Sequence, residues 1–455
     1  MTASGTPSAG EVRQRQHDVL DRATPIDRRA RPDQWTAGDF ASVSRPAMLA
    51  SFWGSEVPGS GAYDEMLTGA VVAAEQLGWD VDSALTALGE GWAEVEHGAD
   101  EATLATIADR VLDDLERGRV RTPTIRSAPT HFEEPTPRIQ CLDARMLASW
   151  QGKIAGGAFG TALEGCRGAA ISSVYGEVRG YVATPNTLND DVVYELVALS
   201  LLASKNEPST ENYAHEWSAR VPFGWSAEWV ALDNLARGIR VPEAAVVRNP
   251  FTDWIGAQMR SMVFGQLFPG QPLSAASMAR TEALVSHRGN GVEGSAFAAM
   301  LSALAFVHDE PRAVVIAASA LLPPSRYRSE VDLVIERCQH SSTFDDVWPD
   351  FEHRHRDRNW IHAIPNIGAV IASLWFGGAD LTESFSLLAR AGLDVDCNAG
   401  LVGTVLGATS EMVAASWVDP LEDRIDTYLP DCPTVAITDV AEQTLRLSRR
   451  INQPR

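Results

Sequence analysis

From Arg138 onward the chain is a succession of Ala- and Gly-rich apolar segments of helical length, parted by short polar turns with Pro or Gly and almost free of two-residue alternation. A half-buried sheet needs that alternation, so the pattern predicts an all-α domain. The expected helices run over Leu142–Glu164, Asp191–Ser204, Ala227–Arg237, Asp253–Phe264, Glu293–His308, Ile367–Gly377, Thr382–Ala391 and Asn398–Ala415. Small residues on several faces of these segments imply closely packed, deeply buried helices. At 45% hydrophobic and 22% charged residues the chain can bury a large core, which excludes disorder.

Ahead of this domain, Tyr63–Gly78 and Glu101–Arg117 carry apolar residues at helical spacing, the second at Leu104, Ile107, Val111, Leu112 and Leu115. Residues 1–118 therefore read as a helical N-terminal region, loose over about residues 1–35. Residues 119–137 hold four prolines and no apolar periodicity, and read as an extended connector to a domain over 138–455. The N-terminal region either folds apart from that domain or wraps onto it.

Acidic residues outnumber basic ones 60 to 38, for a formal charge of −22. Such a surface repels phosphate backbones and anionic lipid heads, so neither nucleic acid nor membrane is an expected partner. Ile361–Ala379 is the longest nearly apolar stretch, interrupted by His362, Pro365 and Asn366. The uninterrupted remainder is about 13 residues, short of the ~20 a membrane span needs, and should form a buried core helix. The cysteines Cys141, Cys166, Cys338, Cys397 and Cys432 form no CxxC pair, against both a disulfide framework and a zinc site. With no apolar core in Met1–Leu20, a cytoplasmic location is expected. The glycines of Gly156-Gly157-Ala-Phe-Gly160 lack the GK[ST] of a phosphate loop.

Two acidic clusters, Asn189-Asp190-Asp191 and Asp394-Val395-Asp396, stand just before two of the most apolar helices. One carboxylate at such a place caps the helix. A second beside it adds desolvation and repulsion unless a cation neutralises both. Four carboxylates match two divalent cations, and an all-oxygen donor set with the Asn189 amide suits Mg²⁺ or Mn²⁺ rather than zinc. A pair of such ions orients a polyhydroxylated substrate and activates water for displacement at carbon.

These motifs, with Gly152-Lys-Ile-Ala-Gly-Gly-Ala-Phe-Gly-Thr-Ala-Leu-Glu164-Gly, Ser286-His-Arg-Gly-Asn290-Gly291 and Asp394-Val-Asp396-Cys397-Asn398-Ala-Gly-Leu-Val-Gly403, resemble the ADP-ribosylglycohydrolase family over about Asp143–Ala415. That family includes dinitrogenase reductase-activating glycohydrolase and J1-crystallin. The resemblance implies an orthogonal multi-helix domain with a binuclear Mg²⁺ or Mn²⁺ centre that hydrolyses the glycosidic bond between a ribose anomeric carbon and its acceptor, in ADP-ribosyl or related ribosyl compounds. It implies metal ligation by Asn189, Asp190, Asp191, Asp394, Asp396 and the position of Cys397, and catalytic work by Glu164, Asp191 and Asp396. Asn290, His287 and His362 are expected at the substrate, although a lone histidine beside an apolar helix also serves as a hydrogen-bonded core residue. Asn189, Val395 and Cys397 depart from the commoner family residues, and sulfur suits Mg²⁺ poorly. They keep open a non-catalytic ADP-ribose-binding or structural protein, as J1-crystallin is; the four retained aspartates favour the enzyme. Trp254 and Arg260 either stack on a base and pair with phosphate, or anchor packing and a structural carboxylate.

Overall fold

The computed structural model describes residues 5–25, 44–56, 63–64, 66–121, 132, 134–204 and 207–452. Among these, nearly all regular structure is helical. The strands form three short antiparallel pairs: Ser55–Glu56 with Tyr63–Asp64, Cys166–Arg167 with Gly392–Leu393, and Arg424–Asp426 with Thr434–Ala436. The all-α expectation therefore holds. No helix among the described residues is long and apolar enough to cross a membrane. The apolar stretch after His362 forms the helix Ala363–Gly377, whose residues through Trp375 are buried.

The centre of the molecule is the contact between the helices Leu142–Gly160 and Val395–Ser410. Gly152, Gly156 and Gly160 recur every fourth residue and so share one helix face. A Cβ at Gly152 would stand 2.1 Å from the Gly403 carbonyl oxygen, one at Gly156 2.1 Å from that of Ala399, and one at Gly160 2.1 Å from the Asp396 amide nitrogen. Only glycine permits these backbones to touch. The glycine run is thus a packing stripe, and it brings the first turn of Val395–Ser410 against the C-terminal end of its partner.

Most expected helices appear with shifted ends, for example Asp190–Ala203, Ser226–Ala236, Gly289–Ala305 and Leu381–Ala391. Asp253–Phe264 does not form one helix. It breaks into Gly256–Met259 and Met262–Leu267. The physical reason is a buried ion pair inserted across the break. The Met259 carbonyl accepts from Lys153 Nζ (3.2 Å), the Val263 N–H donates to Glu195 Oε1 (3.1 Å), and Lys153 Nζ lies 3.3 Å from Glu195 Oε2. The two side chains serve the backbone groups that a continuous helix would join to each other.

The N-terminal region also differs from expectation. Residues 9–22, within the stretch expected to be loose, form a helix whose start is closed by a reciprocal capping box between Ser8 and Glu11. Its buried Gln16 accepts from Asn359 Nδ2 (3.0 Å). Residues 26–43 and most of the 119–137 connector lie outside the described residues. The helices Arg45–Ser51, Met66–Gln76, Asp82–Glu96 and Glu101–Arg117 share an apolar core with Phe223, Ala227, Trp229, Val230, Phe251 and Trp254, all from beyond the connector.

Candidate metal centre

The two acidic clusters meet. Asn189 is the N-cap of Asp190–Ala203, its Oδ1 accepting the Asp191 N–H at 2.7 Å, while its Nδ2 donates to Asp396 Oδ2 at 2.9 Å across the site. One amide therefore caps one helix and clamps a carboxylate from the other, which leaves its oxygen a single further lone pair. Capping does not account for the aspartates. The cap at 189 is the asparagine, and Asp394 makes no side-chain cap bond at the head of Val395–Ser410. Leu393, just before it, takes the left-handed backbone region (φ 68°).

Asp191, Asp394 and Asp396 are 2%, 3% and 5% exposed. Burial first, and then the neighbouring Asp396, holds the carboxyls of Asp191 and Asp394 well above the usual carboxylate range. Among the described residues, Asp191 Oδ2, Asp394 Oδ1 and Asp396 Oδ1 have no hydrogen-bond partner despite being buried. Asp191, Asp396 and Cys397 each present a ligand atom within 4.8 Å of the others. The buried carboxylates of Asp191 and Asp396, clustered at this range, fit a hard divalent cation. Beside them a small cavity of about 10 Å³, lined by Lys153, Gly157, Thr187, Asn189 and Asp191 among others, has room for roughly one water-sized occupant.

Cys397 Sγ donates to Asp191 Oδ1 (3.2 Å) and lies 3.7 Å from Met259 Sδ. Burial, then the Asp191 charge, pushes this thiol well above its ordinary pKa, so it orients a carboxylate as a protonated donor. Asp190 is half-buried at the edge of the cluster. Glu164 is half-buried in the turn after the glycine helix. The Gly165 N–H donates to the Leu393 carbonyl (2.9 Å), and Cys166 pairs with Leu393, so this turn lies against the strand that runs into Asp394.

The other expected residues each engage partners of their own. His287 is buried, with Nδ1 2.7 Å from Ser286 Oγ, in the network around Arg260. Arg260 Nε donates to both oxygens of Glu282 (2.9 and 3.0 Å), Nη2 donates to Ser286 Oγ (3.0 Å) and Nη1 pairs with Glu228. The guanidinium lies over Trp217 and Tyr194. Arg260 thus anchors structural carboxylates. Trp254 is 1% exposed, edge-on to Phe251 and against Gly69, and serves packing. Asn290 donates its backbone N–H and Nδ2 to Asp253 (2.8 and 2.5 Å). His362 is 2% exposed and caps Ala363–Gly377, its Nδ1 accepting the Ile364 N–H (3.1 Å).

Sequence reasoning did not single out Lys153, Glu195 or Asn366 for the site. The Asn366 amide oxygen accepts the Asp394 N–H (3.3 Å) and Asn398 Nδ2 (2.8 Å), joining the start of one buried helix to the other. The available signal was a polar residue inside an apolar run: Asn366 within Ile361–Ala379, and Lys153, one of two lysines in the chain, within the glycine segment.

A protein of Archaeoglobus fulgidus with no assigned function is 26% identical over 299 residues, covering 60% of this chain and 90% of its own. A solved structure, of an ADP-ribosylglycohydrolase-related protein complex, covers 68% of this chain and 99% of its own, with a TM-score of 0.47 and 19% identity. The profile of the ADP-ribosylglycohydrolase family matches residues 138–453, well over half of the chain and inclusive of both acidic clusters. The chain belongs to the ADP-ribosylglycohydrolase family.

Proposed function

We propose that this protein is a divalent-cation-dependent hydrolase that cleaves the bond between a ribose anomeric carbon and its acceptor in ADP-ribosyl or related ribosyl compounds. The observation that carries the reading is the meeting of three buried aspartates from two helix starts, each with an oxygen that no donor among the described residues serves. Such a cluster is costly to a folded chain unless cations complete it.

Asp191, Asp394 and Asp396, with Asp190 at the rim, are the residues that would hold Mg²⁺ or Mn²⁺. When bound, such ions neutralise the carboxylates, polarise substrate oxygens and lower the pKa of a coordinated water. The chain's own contribution is orientation and proton transfer. Asn189 clamps Asp396, the Cys397 thiol holds one oxygen of Asp191, and Asn366 fixes the backbone at Asp394. Glu164, on its half-buried turn, is the group assigned to pass a proton between water and the leaving acceptor. Asp191 and Asp396 also align the water for attack at the anomeric carbon.

The test pairs two measurements on the full chain, thermal stability with and without chelator, and ribose release from ADP-ribosylated protein and small-molecule substrates. Expected are a fall in Tm on chelation, its recovery with Mn²⁺ or Mg²⁺, and cation-dependent release. Stabilisation by cations with no release from any substrate would establish a binding protein instead, and indifference to chelator would overturn the metal centre.

A further inference from the structure

Two sulfurs meet at the metal centre. Cys397 Sγ, in the first turn of Val395–Ser410, lies 3.7 Å from Sδ of Met259, the residue that ends the short helix Gly256–Met259. The two positions are 138 residues apart, so no CxxC spacing could announce the pair. Both side chains are buried, Met259 at 5% and Cys397 at 6% exposed.

Asp191, Asp396 and Cys397 offer donor atoms within 4.8 Å of one another, and Met259 adds a thioether on the sulfur side of that group. Packing accounts for the sulfur contact. It leaves Asp191 Oδ2 and Asp396 Oδ1 buried with no donor among the described residues. The set of two carboxylates, a thiol and a thioether is not the one Mg²⁺ selects, since that ion demands six oxygens in near-ideal octahedral geometry. Borderline cations such as Zn²⁺ and Co²⁺ accept four donors and take thiolate among them. The sulfur separation fits an ion of that class, because two metal–sulfur bonds of about 2.3 Å meeting at the tetrahedral angle span about 3.8 Å.

We propose that Asp191, Asp396, Cys397 and Met259 form a thiophilic face of the centre, which holds a divalent cation of the zinc class in preference to Mg²⁺. This rests on the metal part of the reading above and refines it for this chain's own sulfurs. On binding, the Cys397 S–H bond breaks, a metal–sulfur bond forms and the proton passes to solvent. With Mg²⁺ or Mn²⁺ the thiol keeps its proton and its bond to Asp191. Asp190 and Asp394 remain oxygen donors for a hard ion.

The experiment loads metal-free, full-length protein with one equivalent of Zn²⁺, reads the donors around the ion by X-ray absorption, and then titrates Co²⁺ by absorbance and calorimetry. A sulfur shell at about 2.3 Å from zinc is expected. Co²⁺ should bring up a near-ultraviolet sulfur-to-metal charge-transfer band that Cys397→Ser abolishes. That variant should bind Co²⁺ about tenfold or more weakly and Mg²⁺ no more weakly than the parent does. It should also release one proton fewer per Co²⁺ bound, measured in buffers of different ionisation enthalpy. Met259→Leu, which conserves volume, should keep the band and lower Co²⁺ affinity severalfold. A zinc shell without sulfur in the parent overturns the thiophilic face even where the variants do not fold, and so does a band that survives Cys397→Ser. Mg²⁺-dependent ribosyl release with zinc in a sulfur-free shell would sink this face alone, whereas sulfur-bound zinc in a protein that releases ribose with no cation would sink the hydrolase reading alone.

Discussion

At position 397 a protonated thiol holds Asp191 where an alcohol is the commoner family residue, and a threonine hydroxyl can make the same bond. Cys397→Thr should therefore preserve the fold and tighten Mg²⁺ binding, because oxygen is the better neighbour for a hard ion. Calorimetric titration with Mg²⁺ measures this directly, and weaker binding would give the sulfur a role of its own. Asp394→Asn and Asp396→Asn keep shape but each remove a carboxyl group that would ionise to hold the cation, so each should abolish release and blunt the cation-dependent Tm gain. Glu164→Gln should slow turnover with that gain intact. The aspartates were legible because paired charges ahead of apolar helices need an explanation. The division of labour was not. Whether Asn189 caps, ligates or clamps depends on Asp396, which lies more than two hundred residues away in the chain, and local spacing carries no such information.

Among the elements, the two glycines Gly156 and Gly157 are adjacent in sequence yet opposite in consequence. A methyl at 156 would meet the Ala399 backbone at 2.1 Å, and backbone cannot yield as a side-chain tip does. Gly156→Ala should cost about 3 kcal/mol or more and part the helices that bring Asp396 to the site. At 157 the nearest atom is Asn189 Nδ2 at 3.6 Å, an ordinary contact. Gly157→Ala should be neutral or stabilising by about 0.5 kcal/mol, because alanine loses less entropy in a helix. Denaturant melts of both variants decide it. The Lys153–Glu195 pair makes a second case. Burial raises the Glu195 carboxyl to about 7 even with Lys153 opposite, and Lys153→Met must raise it further. An acid whose folded pKa is raised takes up a proton on folding, so its contribution is full below its unfolded value and is lost as pH rises through the folded one. The Tm gap between Lys153→Met and the parent should thus widen from pH 6 to pH 9. The helix break that this pair bridges was invisible in sequence, since Asp253–Phe264 has the apolar spacing of a single helix and the groups that interrupt it come from two other helices.

For the whole molecule, composition and helical periodicity are enough to indicate an all-α protein, because burying so much small apolar surface without alternation leaves few other solutions. They do not indicate whether the N-terminal region stands apart, since a proline-rich connector serves either arrangement. The packing favours wrapping. Trp229, Phe251 and Trp254 lie beyond the connector, yet they are 8%, 0% and 1% exposed in a core shared with Leu67, Val111 and Leu115 from before it. Polar contacts cross the same boundary: Arg248 pairs with Asp109 and Asp113, Arg45 Nε with Asp233 (2.8 Å), and Gln16 with Asn359. Removing residues 1–137 would uncover those three aromatics together with Phe223 and leave Arg248, now buried, without two of its carboxylates. Exposed aromatic clusters of that kind drive association. The truncated chain should accordingly be insoluble or aggregate on purification, while the two halves expressed as separate polypeptides should associate and restore solubility. Size-exclusion chromatography of the 138–455 fragment alone and with its missing half makes the comparison. A monomeric, stable fragment with the parent's cation-dependent Tm gain would show that the wrapping contacts add nothing the core needs.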